Sequence, residues 1–245
     1  MENSVGRSWF KDWFDTHYYH ILYQNRNHSE ARAFIEKLLS YLRLSRGSEA
    51  LDLACGKGRH SKFLSEHNLK VVGLDLSENS IEEAKKMSNE ELHFEVADMR
   101  SFSLNKKFDA IFNLFTSFGY FDNKADNLHV LKRVKAHLKA DGRLVVDFLN
   151  AEKVLKNLPT SEVKTLDGIE FHIDKYLENG IVVKRIRFSD KGNDYEFFER
   201  VQALTIDDFR EMLKHCGMEI IDTFGDYNLN PFEPQKSDRL ILIAH

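Results

Sequence analysis

The chain of 245 residues is poor in cysteine and proline, with two of the first and three of the second. Cys55 and Cys216 cannot build a disulfide framework and stand at no metal-ligand spacing, which argues against a cystine-stapled secreted domain and a zinc module. Pro159, Pro231 and Pro234 all fall between periodic segments, so no helix or strand is interrupted. No apolar stretch approaches the ~20 residues of a membrane span. The opening MENSVGRSWFKDWF lacks the apolar core and small-residue cleavage site of a signal peptide. The expected setting is the cytoplasm, with no membrane partner. Positive charge is not in excess either: 35 basic against 39 acidic residues give a net charge of −4, and no nucleic-acid partner is expected.

With 42% hydrophobic and 30% charged residues, the chain can bury an ordinary core. Its length suits one α/β domain carrying an insertion. Trp9, Phe10, Trp13, Phe14, Tyr18, Tyr19 and Tyr23 recur at helix-like spacing, which predicts an aromatic-faced helix over the first 23 residues. A second helix carries Ala31, Phe34, Ile35, Leu38 and Leu42 on one side. From residue 49, strand and helix patterns alternate: EALDLA, KVVGLDL, LHFEVAD, FDAIFNLF and RLVVDFLN are strands. Ser80 and Glu83 are read as a capping box, and the helix with Leu128, Leu131, Val134 and Leu138 is expected to end near Gly142. Such alternation means a parallel sheet with helices on both faces.

Residues 161 to 203 break the pattern with strand-like runs split by LDG, ENG and DKGND, turns that close antiparallel hairpins. Helical alternation returns at Thr205, capped with Asp208 and terminated at Gly217, before two last strands. The expected division is a helical lid over 1–45, a cofactor-binding domain over 46–158 and 204–245, and an inserted β subdomain over 159–203.

The stretch LDLACGKGRH carries the functional signal. Gly56 and Gly58 follow an apolar run, and Asp52 precedes them at the strand end. A dinucleotide fingerprint needs a third glycine where Ser61 stands, and Asp52 would repel a pyrophosphate. Both points weigh against a nicotinamide-dependent oxidoreductase, and a P-loop is absent. Asp75 ends the second strand, placed to accept from ribose hydroxyls; Asp98 ends the third, placed to accept from an exocyclic amine with Met99 on the ring. Together these strand ends outline a nucleoside with an amino-acid tail and no phosphate.

The series D-x-x-x-G-x-G, LDLS, ADM, FDAIFNLFTSFGYF and LKADGRLVVDFLN resembles the ordered motifs of class I S-adenosylmethionine-dependent methyltransferases. The resemblance implies a Rossmann-like seven-stranded sheet with its last strand antiparallel, here with a small antiparallel β insertion. It implies S-adenosylmethionine as cofactor, S-adenosylhomocysteine as product and a small molecule as methyl acceptor. Asp52, Ala54, Cys55, Gly56 and Gly58 would then line the methionine part, Asp75 and Leu76 the ribose, Asp98 and Met99 the adenine, and Phe115 the reactive end. No metal is implied.

Tyr19 is the expected aromatic contact to the methyl group, with Tyr18 and Tyr23 as rivals, and Arg26 the expected partner of the cofactor carboxylate. Tyr19 and Tyr120 are the catalytic candidates, with His17 and His20 as further proton acceptors. Trp13 and Phe14 are read as packing, as are Trp9 and Phe10. A non-catalytic cofactor-binding protein would carry the same motifs, and the fold also hosts aminopropyl transfer and cyclopropane formation. A monomer or homodimer is expected.

Overall fold

Strand β1 (Glu49–Leu53) opens a series in which each apolar run is followed by a helix that covers it. The computed structural model describes residues 13–24 and 28–245. In chain order its helices are α1 (His17–Leu22), α2 (His28–Leu42), α3 (Arg59–Glu66), α4 (Glu78–Lys85), α5 (Lys124–His137), α6 (Ala151–Asn157) and α7 (Ile206–His215). The further strands are β2 (Lys70–Asp75), β3 (Leu92–Val96), β4 (Phe108–Asn113), β5 (Leu138–Leu149), β6 (Thr160–Leu166), β7 (Ile169–Glu178), β8 (Ile181–Asp190), β9 (Asn193–Gln202), β10 (Ile220–Phe224) and β11 (Arg239–Ala244). Two compact units emerge, Met1–Arg26 with Leu155–Ala203, and Asn27–Val154 with Leu204–His245. Helix α2 belongs to the second unit.

That larger unit holds a seven-stranded sheet in the order β3-β2-β1-β4-β5-β11-β10. Strands β1 to β5 run parallel, and β11 enters antiparallel to both β5 and β10. The expected sheet, last strand included, is therefore present. Its central strands are apolar on both faces, as a sheet covered on both sides requires. Helix α2 buries Ala31, Phe34, Ile35 and Leu38, worth about 1.5–3 kcal/mol for each large side chain. The Thr205–Asp208 capping box starts α7, whose Phe209, Met212 and Leu213 are buried.

Two local expectations are corrected. Ser77, not Ser80, caps α4 by accepting from the Ser80 N–H, because the helix begins directly after the strand end at Asp75. Helix α5 stops at His137, where Leu138 turns extended and pairs with Phe108, so the strand starts four residues before Gly142.

The smaller unit is a meander, β6-β7-β8-β9. Its three turns are Asp167-Gly168, Asn179-Gly180 and Lys191-Gly192, each with positive φ at both residues. These are two-residue type I′ loops, matched to the twist of the strands they join. Phe171, Ile173, Ile186 and Phe188 form its core with Trp13, Ile21 and Leu22. Described residues of the aromatic segment do not form one continuous helix. Thr16 breaks it, capping α1 by accepting from the Tyr19 N–H at 3.1 Å.

Candidate active site

The strand order reverses between β1 and β4, and in such sheets ligands bind beyond the carboxyl ends at that switch point. The chain leaves β1 with Ala54 at φ 63°, Gly56 at 56° and Gly58 at 77°. The Cys55 N–H donates to Leu74 O at 2.9 Å, and the Gly58 N–H to Cys55 O at 3.0 Å. The two glycines serve differently. A Cβ on Gly56 would meet nothing within 4 Å, whereas one on Gly58 would stand 2.5 Å from the Phe94 ring. Gly56 leaves backbone facing open space; Gly58 lets the loop pack. Gly73 on β2 yields to the same ring, a role no sequence motif announces.

Asp75 turns onto this loop. Its Oδ2 accepts from the Gly56 N–H at 2.7 Å and its Oδ1 from the Ser77 N–H at 2.9 Å. A carboxylate oxygen carries two lone pairs, so one that takes a backbone N–H can also accept from a hydroxyl. Asp52, on β1 and 1% exposed, accepts from Ser61 Oγ at 2.6 Å. Burial pushes its carboxyl up to about 6 against the Ser61 hydrogen bonds. Burial, with Asp52 and Asp75 nearby, also drives the Cys55 thiol well above its usual range, so it stays protonated and is no nucleophile.

The end of β3 lies beside that of β2, the Ala97 N–H donating to Asp75 O at 2.8 Å. Asp98 accepts from Arg100 Nη2 at 2.6 Å and Nε at 3.0 Å. Arg100 also pairs with Asp126 at 3.4 Å and lies 4.8 Å from the Phe121 ring centre. Leu76 and Met99 are half-buried at these strand ends. At the tip of β4, Asn113 donates from Nδ2 to Leu53 O at 3.0 Å, while its Oδ1 is buried with no hydrogen-bond partner among the described residues. A buried acceptor in that state calls for a donor from outside the described residues, such as a ligand. Phe115 follows, with the Arg59 guanidinium 5.4 Å from its ring centre.

The other expected residues belong to the smaller unit, to the β4–α5 segment, or lie outside the described residues. Arg26 lies outside the described residues, as do Trp9 and Phe10. Tyr19 sits in the smaller unit, its ring against Trp13, Phe14 and Tyr23. Among its rivals, Tyr18 donates to Asp190 at 2.9 Å and Tyr23 to Glu199 at 2.6 Å. Trp13, buried, donates from Nε1 to Glu199 at 2.8 Å. Tyr120, half-buried on the β4–α5 segment, is within electrostatic reach of Arg239. Asn113, the buried Asp147 and the half-buried Tyr227 and Arg239 behind Phe115 were not singled out from sequence, although a lone Asp inside LVVDFLN was visible.

The loop with open space over Gly56, the carboxylates at two strand tips and the orphaned Asn113 oxygen fit a phosphate-free adenosyl ligand with an amino-acid tail. Nothing in the set is built to hold a pyrophosphate. Comparison with known proteins agrees. A methyltransferase domain family matches residues 50–142. A putative methyltransferase of Bacillus subtilis is 29% identical over 205 residues, 79% of this chain and 82% of that protein. The glycine/sarcosine/dimethylglycine N-methyltransferase of Actinopolyspora halophila is 29% identical over 218 residues, 84% of this chain and 37% of that protein. A solved S-adenosylmethionine-dependent methyltransferase from Clostridium acetobutylicum shares the fold with TM-score 0.79 and 22% identity, covering 93% of this chain and 95% of that one. By its strand order, its glycine loop and these relatives, the chain belongs to the class I S-adenosylmethionine-dependent methyltransferases.

Proposed function

We propose that this methyltransferase acts on a small molecule bearing an amine nitrogen. The observation that carries the cofactor half is the Gly56–Asp75 contact, 2.7 Å, beside a backbone that faces open space. The acceptor half is supported by the N-methyltransferase named above and by the lack of a positive net charge for a nucleic-acid acceptor.

S-adenosylmethionine supplies, when bound, a methyl group on a cationic sulfur that a lone pair can displace. The chain's own work is to bind, orient and exclude water. Asp52 and the Ala54–Gly58 backbone, with Cys55, hold the amino-acid end; Asp75 and Leu76 hold the ribose; Asp98 and Met99 hold the adenine. Phe115 lines the reactive end. Tyr120 orients the acceptor or takes its proton, and Tyr19 is proposed as a second phenol of the same kind. Arg26 is proposed as the carboxylate partner. The lid, cofactor domain and β insertion keep the roles expected from sequence, with the enzyme in the cytoplasm as a monomer or homodimer. Among the described residues no helix is long and apolar enough to cross a membrane.

Calorimetry with S-adenosylmethionine and S-adenosylhomocysteine tests the reading, together with a screen of glycine, sarcosine and amino sugars for methyl transfer. Micromolar binding and turnover on an amine are expected. No binding at millimolar ligand ends the proposal, and turnover on alcohols or thiols alone ends its acceptor half.

A further inference from the structure

Phe115 and Thr116 both adopt left-handed backbones, at φ 65° and 60°. Two adjacent residues with a Cβ do not stay there unaided. The groups that hold them come from distant strands. Asp147 on β5 is 1% exposed. Its Oδ2 accepts from the Phe115 N–H at 2.9 Å and the Tyr227 hydroxyl at 3.2 Å, and its backbone oxygen accepts from the Thr116 N–H at 2.8 Å. Arg239 on β11 donates from Nε to Asp147 Oδ1 at 2.7 Å and from Nη2 to Thr116 Oγ1 at 2.8 Å. Its guanidinium lies 6.0 Å from the Phe115 ring centre and 5.7 Å from that of Tyr227. Burial pulls Arg239 down, but the charge of Asp147 overrides it and keeps the guanidinium ionised.

A buried ion pair is a poor choice if stability were its only purpose, because apolar side chains of similar volume often fill such a space as well or better. What apolar side chains cannot do is accept from the strained Phe115 amide and donate to the Thr116 hydroxyl, as the Asp147 carboxylate and the Arg239 guanidinium do. We propose that Asp147 and Arg239, with Tyr227, are positioning residues that lock the Phe115–Thr116 backbone and thereby set the wall beside the transferable methyl group. This rests on the methyl-transfer reading above and on Phe115 lining the reactive end. Thr116 is where the clamp can be loosened without disturbing the charge pair. Thr116→Val keeps the shape and the β-branch but removes the acceptor for Arg239; Thr116→Ser keeps the acceptor.

The test uses the full chain as wild type, T116V, T116S and D147N. Amide hydrogen exchange over residues 114–121 is followed by mass spectrometry, and affinities for S-adenosylmethionine and S-adenosylhomocysteine by calorimetry. T116V is expected to exchange about tenfold faster in that segment. It is also expected to raise the Kd for S-adenosylmethionine about fivefold more than that for S-adenosylhomocysteine, since only the first carries the methyl. T116S is expected to restore both properties, and D147N to exceed T116V. A general loss of stability would weaken both ligands alike. T116V equal to wild type in exchange and in the affinity ratio overturns the proposal, as does T116S behaving like T116V. Should D147N fail to fold, the Thr116 pair decides. A wild-type protein that binds neither ligand overturns the methyl-transfer reading itself and this inference with it, an outcome distinct from normal binding with no Thr116 effect.

Discussion

A carboxylate from each unit, both drawn out of water, shows two ways of providing for one. In the smaller unit Glu199, its side chain 17% exposed, accepts from Trp13 and Tyr23 and pairs with Lys184 at 3.5 Å. In the larger unit Asp52 is 1% exposed, and among the described residues its hydrogen-bond partner is Ser61. Glu199 is a neutralised fastening that ties the aromatic segment to β9 and β8. Asp52 carries a charge that the fold itself does little to stabilise, which is the expected state of a group kept for a ligand's ammonium. The glycines repeat the contrast. Gly180 serves a turn with open space around it, while Gly58 has the same sign of φ and a ring in the way.

The largest effect is expected at Gly58. Gly58→Ala combines a left-handed backbone with a Cβ 2.5 Å from Phe94. It should cost about 2–5 kcal/mol in urea unfolding and abolish measurable cofactor binding. An unchanged unfolding midpoint would mean that Phe94 moves aside freely. Next comes Asp52→Asn, which keeps an acceptor for Ser61. Asp52 titrates near 6 in the folded chain against a usual 3.8, so between those values the folded state binds more protons than the unfolded one. Stability from this group therefore falls as pH rises through that window and levels off above it. The Asp52→Asn change should stabilise the protein at pH 8 by up to about 3 kcal/mol, with the gain fading by about pH 4, while cofactor affinity drops. Equal unfolding midpoints for both proteins across pH 4.5 to 8 would contradict this.

Glu199→Gln should do the opposite of Asp52→Asn. Removing the charge that neutralises Lys184 is expected to destabilise the smaller unit by about 1–3 kcal/mol, readable in the thermal midpoint. A gain of stability on Glu199→Gln would erase the distinction between the two carboxylates. The smallest effect belongs to Gly180→Ala, about 1–2 kcal/mol from backbone strain alone, with cofactor affinity unchanged.

The two units also differed in how much their sequences announced. All three hairpins were readable because a type I′ turn is specified by two adjacent residues, and Asp167-Gly168, Asn179-Gly180 and Lys191-Gly192 sit where LDG, ENG and DKGND put them. The strand-tip residues Asp52, Gly56, Asp75 and Asp98 were readable because a parallel sheet places successive strand ends side by side. What escaped was non-local or ambiguous. Asp147 and Arg239 meet diagonally across β5 and β11, a pairing no spacing encodes. Ser77 and Ser80 offer equally good caps, and only the distance from the end of β2 selects the first. The break at Thr16 was hidden beneath an aromatic periodicity that the side chains satisfy by folding back on β8 and β9.

The central claim is that the acid at the tip of β2 holds the ribose of an adenosyl sulfonium. Asp75→Ala removes both hydroxyl acceptors together with the Gly56 tether, and calorimetric titration with S-adenosylmethionine reads the consequence directly. The expected result is a Kd raised by about 100-fold or more, roughly 3 kcal/mol, in a protein that still melts cooperatively. A Kd within twofold of wild type in a folded Asp75→Ala protein would contradict the account.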